Sequence, residues 1–115
     1  MVPRDLDVLV RFGYMLPLDL ERSARVSWLT DGVYALSVWS LPGMTAPDIA
    51  LAVGLRHAVI RSCTVAQIRS AGYDVTDSDH RGHCQVLFPH PPTDNDWRRL
   101  DLCFGPAVAN PVLGA

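Results

Sequence analysis

The chain contains no lysine. All ten of its basic residues are arginine, and Glu21 is the one glutamate beside eleven aspartates. With Ala, Gly, Pro and Val plentiful, an arginine-only basic set reflects a GC-rich coding bias more simply than ten selected guanidinium forks, so no arginine is informative by position alone. Any carboxylate chemistry falls on Glu21 or an aspartate. The net charge of −2 withholds the basic excess on which sequence-independent phosphate binding rests. No stretch approaches the ~20 consecutive apolar residues of a membrane span. The opening "MVPRDLDVLVRFGYML" interleaves acids with apolar residues and lacks the basic-then-apolar order of a secretory leader. Only three cysteines occur, Cys63, Cys84 and Cys103, widely spaced in apolar or strand-type sequence. They read as reduced core thiols, not as a disulfide framework. These scarcities predict a cytoplasmic protein that does not span a membrane.

What is present is the material of one folded unit. The 115 residues are 49% apolar and 19% charged, enough to bury roughly 65% of the unfolded chain's surface and to hold a core without staples. A single domain is expected over residues 1–105, with an extended tail over 106–115. "DVLVRFGYM" (7–15) is a strand interrupted by Gly13, and Pro17 ends it. "DLERSA" (19–24) suits a single helical turn. "RVSWLTDGVYALSVW" (25–39) reads as two strands joined at Asp31-Gly32, a pair that tolerates the positive φ of a tight hairpin. Thr45-Ala-Pro-Asp48 offers a hydroxyl cap, an early proline and an acid to a short helix that Gly54 stops.

The conformation of 57–64 decides between two folds. A helix from 57 to 72 would carry Arg61 and Ser62 on its apolar stripe, whereas Thr64-Val-Ala-Gln67 matches a capping box. A strand over 57–62 and a helix from 65 are therefore expected. Strands over 73–77 and 83–89 follow, then a helix capped at Thr93 with Trp97, Leu100 and Phe104 on one stripe. The order β-β-β-α-β-α-β-β-α predicts an α+β single-domain sandwich, with about three helices on one face of a mixed, mostly antiparallel sheet.

"DSDHRGHCQVLFPHPP" (77–92) holds three of the four histidines and Cys84. These are zinc-competent types, but the paired spacing of a tetrahedral site does not recur, and on a strand His83 and Cys84 point to opposite faces. No metal site and no cofactor are expected. Histidine also titrates near neutral pH, so a pair can pass protons in phosphodiester cleavage. His83, with His57 and His80, is the candidate catalytic set, and Arg56, Arg61 and Arg81 are candidate phosphate-binding residues. The competing interpretation is a set of turn histidines at a hairpin tip.

"TVAQIRSAGYDVTDSDHRGHCQVLFPHP" (64–91) resembles in outline the HicA-type ribonuclease toxins: a helix ending in a glycine-aromatic pair, a strand, a turn, a Gly-X-His-like element and a strand ending in proline. The resemblance implies that His83 matches the family's catalytic histidine. Gly82 precedes it here with no serine between, and residues 1–63 lie outside the match.

Two further patterns carry weight. "MTAPDIALAVGLRHAVIRSCTVAQIRSAGYDV" resembles a helix-turn-helix with Arg56, His57 and Arg61 opening a recognition helix and 73–88 as a wing, although the Thr64 capping box would interrupt that helix. "IRSCTV" places Ser62, Cys63 and Thr64 at a strand-to-helix junction, where a thiol can be activated; a simple N-cap with a buried cysteine accounts for it more economically. Leu102 falls off the last helical stripe and, with the apolar tail, suits a docking surface. The sequence thus favours a small protein-interaction module binding a partner or itself, as in a toxin–antitoxin or toxin–immunity pair. The alternatives are a ribonuclease using His83 and a winged-helix DNA binder over 45–88.

Overall fold

A computed structural model describes residues 3–78 and 81–114. Its β-branched runs assemble into one six-stranded sheet. β1 (Val8–Phe12) lies antiparallel to β3 (Val59–Thr64) along its whole length, from Val8↔Thr64 to Phe12↔Ile60. β2 (Tyr34–Trp39) pairs in the same sense with β5 (His83–Phe88), from Tyr34↔Phe88 to Trp39↔His83. β4 (Asp74–Asp77) borders β5, and a two-residue β6 (Val108–Ala109) borders β3. The order is β4-β5-β2-β1-β3-β6, and all pairings among these strands are antiparallel. The α+β class expected from the sequence is the one observed. The two halves of the sheet join weakly, because β1 and β2 share a single registered pair, Val10↔Trp39.

One element differs from expectation. The first arm of the hairpin expected over 25–39 is instead the second half of a fifteen-residue helix, α1 (Pro17–Asp31). Pro17 opens that helix at a position where its missing N–H costs nothing. Leu20, Ala24 and Ser27 are buried at helical spacing. Gly32, at φ 72°, donates its N–H to Trp28 O and closes the helix. The left-handed conformation that suits Asp-Gly to a hairpin serves a helix C-terminus equally well, and here the helix takes it. The alternation of Val26 and Trp28 is incidental: both are exposed, and Trp28 stacks on Tyr34 at 4.6 Å.

The other helices start where the sequence places them. α2 (Ala46–Val53) is capped by Thr45 Oγ1, which accepts from Asp48 N, and Gly54 ends it at φ 79°. α3 (Val65–Ser70) opens with the expected capping box: Thr64 N donates to Gln67 Oε1 at 2.9 Å and Gln67 N to Thr64 Oγ1 at 3.3 Å. Residues 59–64 are therefore strand, and the recognition helix of a winged helix-turn-helix does not form. α4 (Asp94–Cys103) has its own box between Thr93 and Asp96. After Gly105 the chain stays extended through β6 and finishes in a 3-10 turn over Pro111–Gly114.

The helices are not all on one face. α1, α3 and α4 pack through Leu20, Ile68, Trp97 and Leu100 onto Leu9, Leu36, Val38 and Val86. α2 covers the opposite face, where Ile49 and Ala50 meet Val10, Phe12 and Ile60. The alternation of β1 explains both contacts, since its two parities are apolar except at Arg11.

Candidate functional site

Arg11 is the exception that shapes the site. It follows Leu9 by two residues, so its side chain leaves the strand on the parity that faces the larger core. The β1–β2 ladder has already ended at Val10↔Trp39, leaving the Ser37 carbonyl on β2 without a backbone partner on β1; Arg11 Nη1 donates to it at 2.8 Å. A guanidinium thus stands where the ladder would have continued. Beside it a cleft of about 530 Å³ opens between α1, this fork in the sheet and the loop before β3. From α1 come Asp19, Arg22, Ser23, Ser27 and Thr30, and from the strands Ser37, His83 and Gln85, with His57 supplied by the loop.

Two features set this cleft apart from a packing defect. Arg11 Nε and Ser27 Oγ are the buried side-chain polar atoms without a hydrogen-bond partner among the described residues, and both residues line it. Such atoms are rare in folded proteins, and each calls for a ligand, a solvent molecule or strain as its explanation. Secondly, Arg11 is a half-buried cation with no direct counter-ion among the described residues. Burial lowers its pKa from the ordinary value, opposed by the charge of Asp19, yet a guanidinium stays protonated at neutral pH. No carboxylate of the described residues lies within ion-pair distance of it. A half-buried guanidinium with unused donors, its Nε fully enclosed, favours an anion able to accept from several of them at once.

The histidines meet at this cleft from distant parts of the chain. His83 begins β5 on the parity of Gln85, opposite to the core residues Cys84 and Val86. Its Nδ1 lies 2.7 Å from Ser78 Oγ and its Nε2 3.0 Å from Ser37 Oγ, with Trp39 edge-on at 5.0 Å. Ser78 Oγ also donates to the His83 carbonyl at 3.0 Å. In the tautomer that carries its proton on Nδ1, His83 donates to Ser78 Oγ and accepts at Nε2 from the Ser37 hydroxyl. His57 is exposed on the rim. Its loop is tied down by buried Asn110, whose Nδ2 donates to Leu55 O at 2.7 Å and His57 O at 2.8 Å, and whose N donates to Ala58 O at 3.1 Å. Gly13, at φ 99°, also lines the cleft, and a Cβ there would stand 3.8 Å from His57 Nδ1.

Of the residues proposed from sequence, His57 and His83 come together in this cleft, while His80 lies outside the described residues. Arg61 is not available to a phosphate. Its Nε donates to Gly105 O at 2.7 Å and its Nη2 to Asp101 O and Phe104 O at 3.0 Å each, while Nη1 pairs with the Asp101 carboxylate. It closes the C-terminus of α4, whose last carbonyls have no helical partners. Arg56 and Arg81 are exposed and line no part of the cleft. Cys63 is no activated nucleophile: burial pushes its thiol up to about 12, reinforced by Cys103 and only partly opposed by Arg61. Burial likewise raises Cys84 to about 11. Among the described residues no three His, Cys, Asp or Glu side chains are placed to hold a metal ion, and no helix is long and apolar enough to cross a membrane.

The sequence reading missed Arg11, Ser27 and Ser37. The one local signal was Arg11 itself, a charged residue on the core parity of an otherwise apolar strand. No protein-family model matches this chain, and no curated protein or solved structure shows significant similarity to it. The outline shared with the HicA-type toxins rests on the quoted residues alone.

Proposed function

We propose that this chain hydrolyses phosphodiesters in the cleft between α1 and the forked sheet. Arg11 holds the phosphate, His83 acts as the general base, and His57 is a second proton carrier at the rim. The observation that carries this reading is the coincidence of the two orphaned buried polar atoms with the two histidines around one cleft. A phosphodiester supplies what the cleft lacks: an anion with several acceptor oxygens for Arg11 and a polar group for Ser27. Nucleic acid is the natural substrate class, in keeping with the toxin-like outline over 64–91.

The test is hydrolysis of bis(p-nitrophenyl) phosphate and of a fluorogenic RNA by the purified chain, beside growth of a bacterial host expressing it. Turnover that His83→Ala and Arg11→Met each reduce by about 10²-fold or more sustains the reading. Absence of turnover on every phosphodiester, with growth unaffected, overturns it.

A second reading, a module that docks a protein partner, is favoured by three leucines on the outer surface. Leu102 is 86%, Leu29 77% and Leu18 66% exposed. It is compatible with the first where a toxin is neutralised by a partner.

A further inference from the structure

Resting on the phosphodiesterase reading, we propose that Ser37 is the nucleophile of this cleft, so that hydrolysis passes through a covalent phosphoseryl intermediate and requires no 2′-hydroxyl in the substrate. A serine attacks when a base takes its proton and a third group holds that base in the correct tautomer. All three parts are present. Ser37 Oγ lies 3.0 Å from His83 Nε2, and His83 Nδ1 lies 2.7 Å from Ser78 Oγ, which is also 3.0 Å from the His83 carbonyl. With its proton on Nδ1, the ring offers its Nε2 lone pair to Ser37. Arg11 is hydrogen-bonded to the carbonyl of this same Ser37, which ties a cation with spare donors to the residue that attacks.

Ser37 Oγ bonds to phosphorus while its proton passes to His83 Nε2, and the P–O bond to the leaving alcohol breaks. That alcohol departs with the proton that His83 took from Ser37, which returns the ring to its neutral form. A water molecule, losing its proton to His83, then cleaves the phosphoseryl ester, and His83 hands that proton to the departing Ser37 oxygen, leaving free Ser37 and a phosphate monoester. Ser78 acts through His83 and is a positioning residue.

The inference is tested by reacting the intact chain with a fluorophosphonate, which loses fluoride on capture by an activated serine, and by following bis(p-nitrophenyl) phosphate hydrolysis in rapid mixing. Expected are a mass increase confined to the peptide bearing Ser37, a nitrophenolate burst of about one equivalent, equal cleavage of deoxy- and ribo-dinucleotides, and loss of at least ~10³-fold in turnover with Ser37→Ala. Ser78→Ala should keep the burst but displace the pH profile of its rate. Because the adduct is read on the unsubstituted chain, the outcome does not depend on whether a variant folds. Cleavage restricted to RNA, with a 2′,3′-cyclic product and no mass increase, overturns Ser37 as nucleophile and leaves the phosphodiesterase reading standing. Turnover on no phosphodiester defeats both.

Discussion

Arg11 and Arg61 are directly opposite each other on neighbouring strands, β1 and β3, yet they do opposite things. Arg61 reaches toward the end of α4 and is consumed there by three carbonyls and a carboxylate. Arg11 reaches toward the fork between β1 and β2, makes one hydrogen bond to the protein, and leaves its Nε buried without a partner. Like charges directly opposite in a sheet are unfavourable, so each needs compensation. Only Arg61 receives it from the fold. The residue type and register are shared, and the difference lies in what the next layer offers: a helix C-terminus in one place, a cleft in the other.

The sharpest way to break this comparison is to truncate Arg61. Arg61→Met leaves the half-buried carbonyls of Phe104 and Gly105 without its donors and should cost about 1–2 kcal/mol of stability; a chemical-denaturation midpoint close to that of the unsubstituted chain would refute its structural role. The ion pair contributes little of this, because Asp101 is largely exposed. Arg11→Met should do the reverse, changing stability by no more than about 1 kcal/mol, because a half-buried cation without an ion-pair partner is removed along with its one bond. It should at the same time abolish binding of a phosphate-bearing ligand, readable by calorimetry with a dinucleotide. A large loss of stability in Arg11→Met would make the two arginines alike and remove the case for a ligand.

The α4 side offers a further contrast in Asp96. Burial alone would raise the pKa of its carboxyl, but bonds from Thr93 N at 2.7 Å, Tyr73 OH at 2.7 Å and the Thr93 hydroxyl outweigh that and hold it below the usual range. A carboxyl with a depressed folded pKa stabilises the fold above its unfolded value of about 3.9, and that contribution fades as pH falls through the folded value. Asp96→Asn should cost about 1–2 kcal/mol near pH 7 through a weakened cap and a lost charge-assisted bond. Thermal melts should show the gap to the unsubstituted chain narrowing below pH ~4, and a gap constant with pH would contradict the assignment. The smallest effect belongs to Leu102→Ser, which should shift stability by under about 0.5 kcal/mol, while weakening any partner that uses this surface in a pull-down titration.

How much of this was readable from sequence follows the range of each interaction. Capping boxes span four residues, so Thr64 and Gln67 announced α3 without help from the rest of the fold. The alternation of Cys84, Val86 and Phe88 placed β5 correctly for the same reason. Asp31-Gly32 misled because one local conformation ends a helix or turns a hairpin, and burial of Leu20, Ala24 and Ser27 against distant strands made the choice. The site was the least legible part. Ser37 and His83 are 46 residues apart, and Arg11 matters only because two strands stop pairing after a single residue pair, which no window of sequence encodes.

Asn110, directly after β6, fastens the His57 loop through three hydrogen bonds. During translation that knot cannot be tied until Asn110 has been made, after every other member of the constellation, so His57 is the last of them to be secured. A nascent polypeptide halted before Asn110 would already carry Arg11, Ser37 and His83 but would have nothing to hold its second imidazole in place.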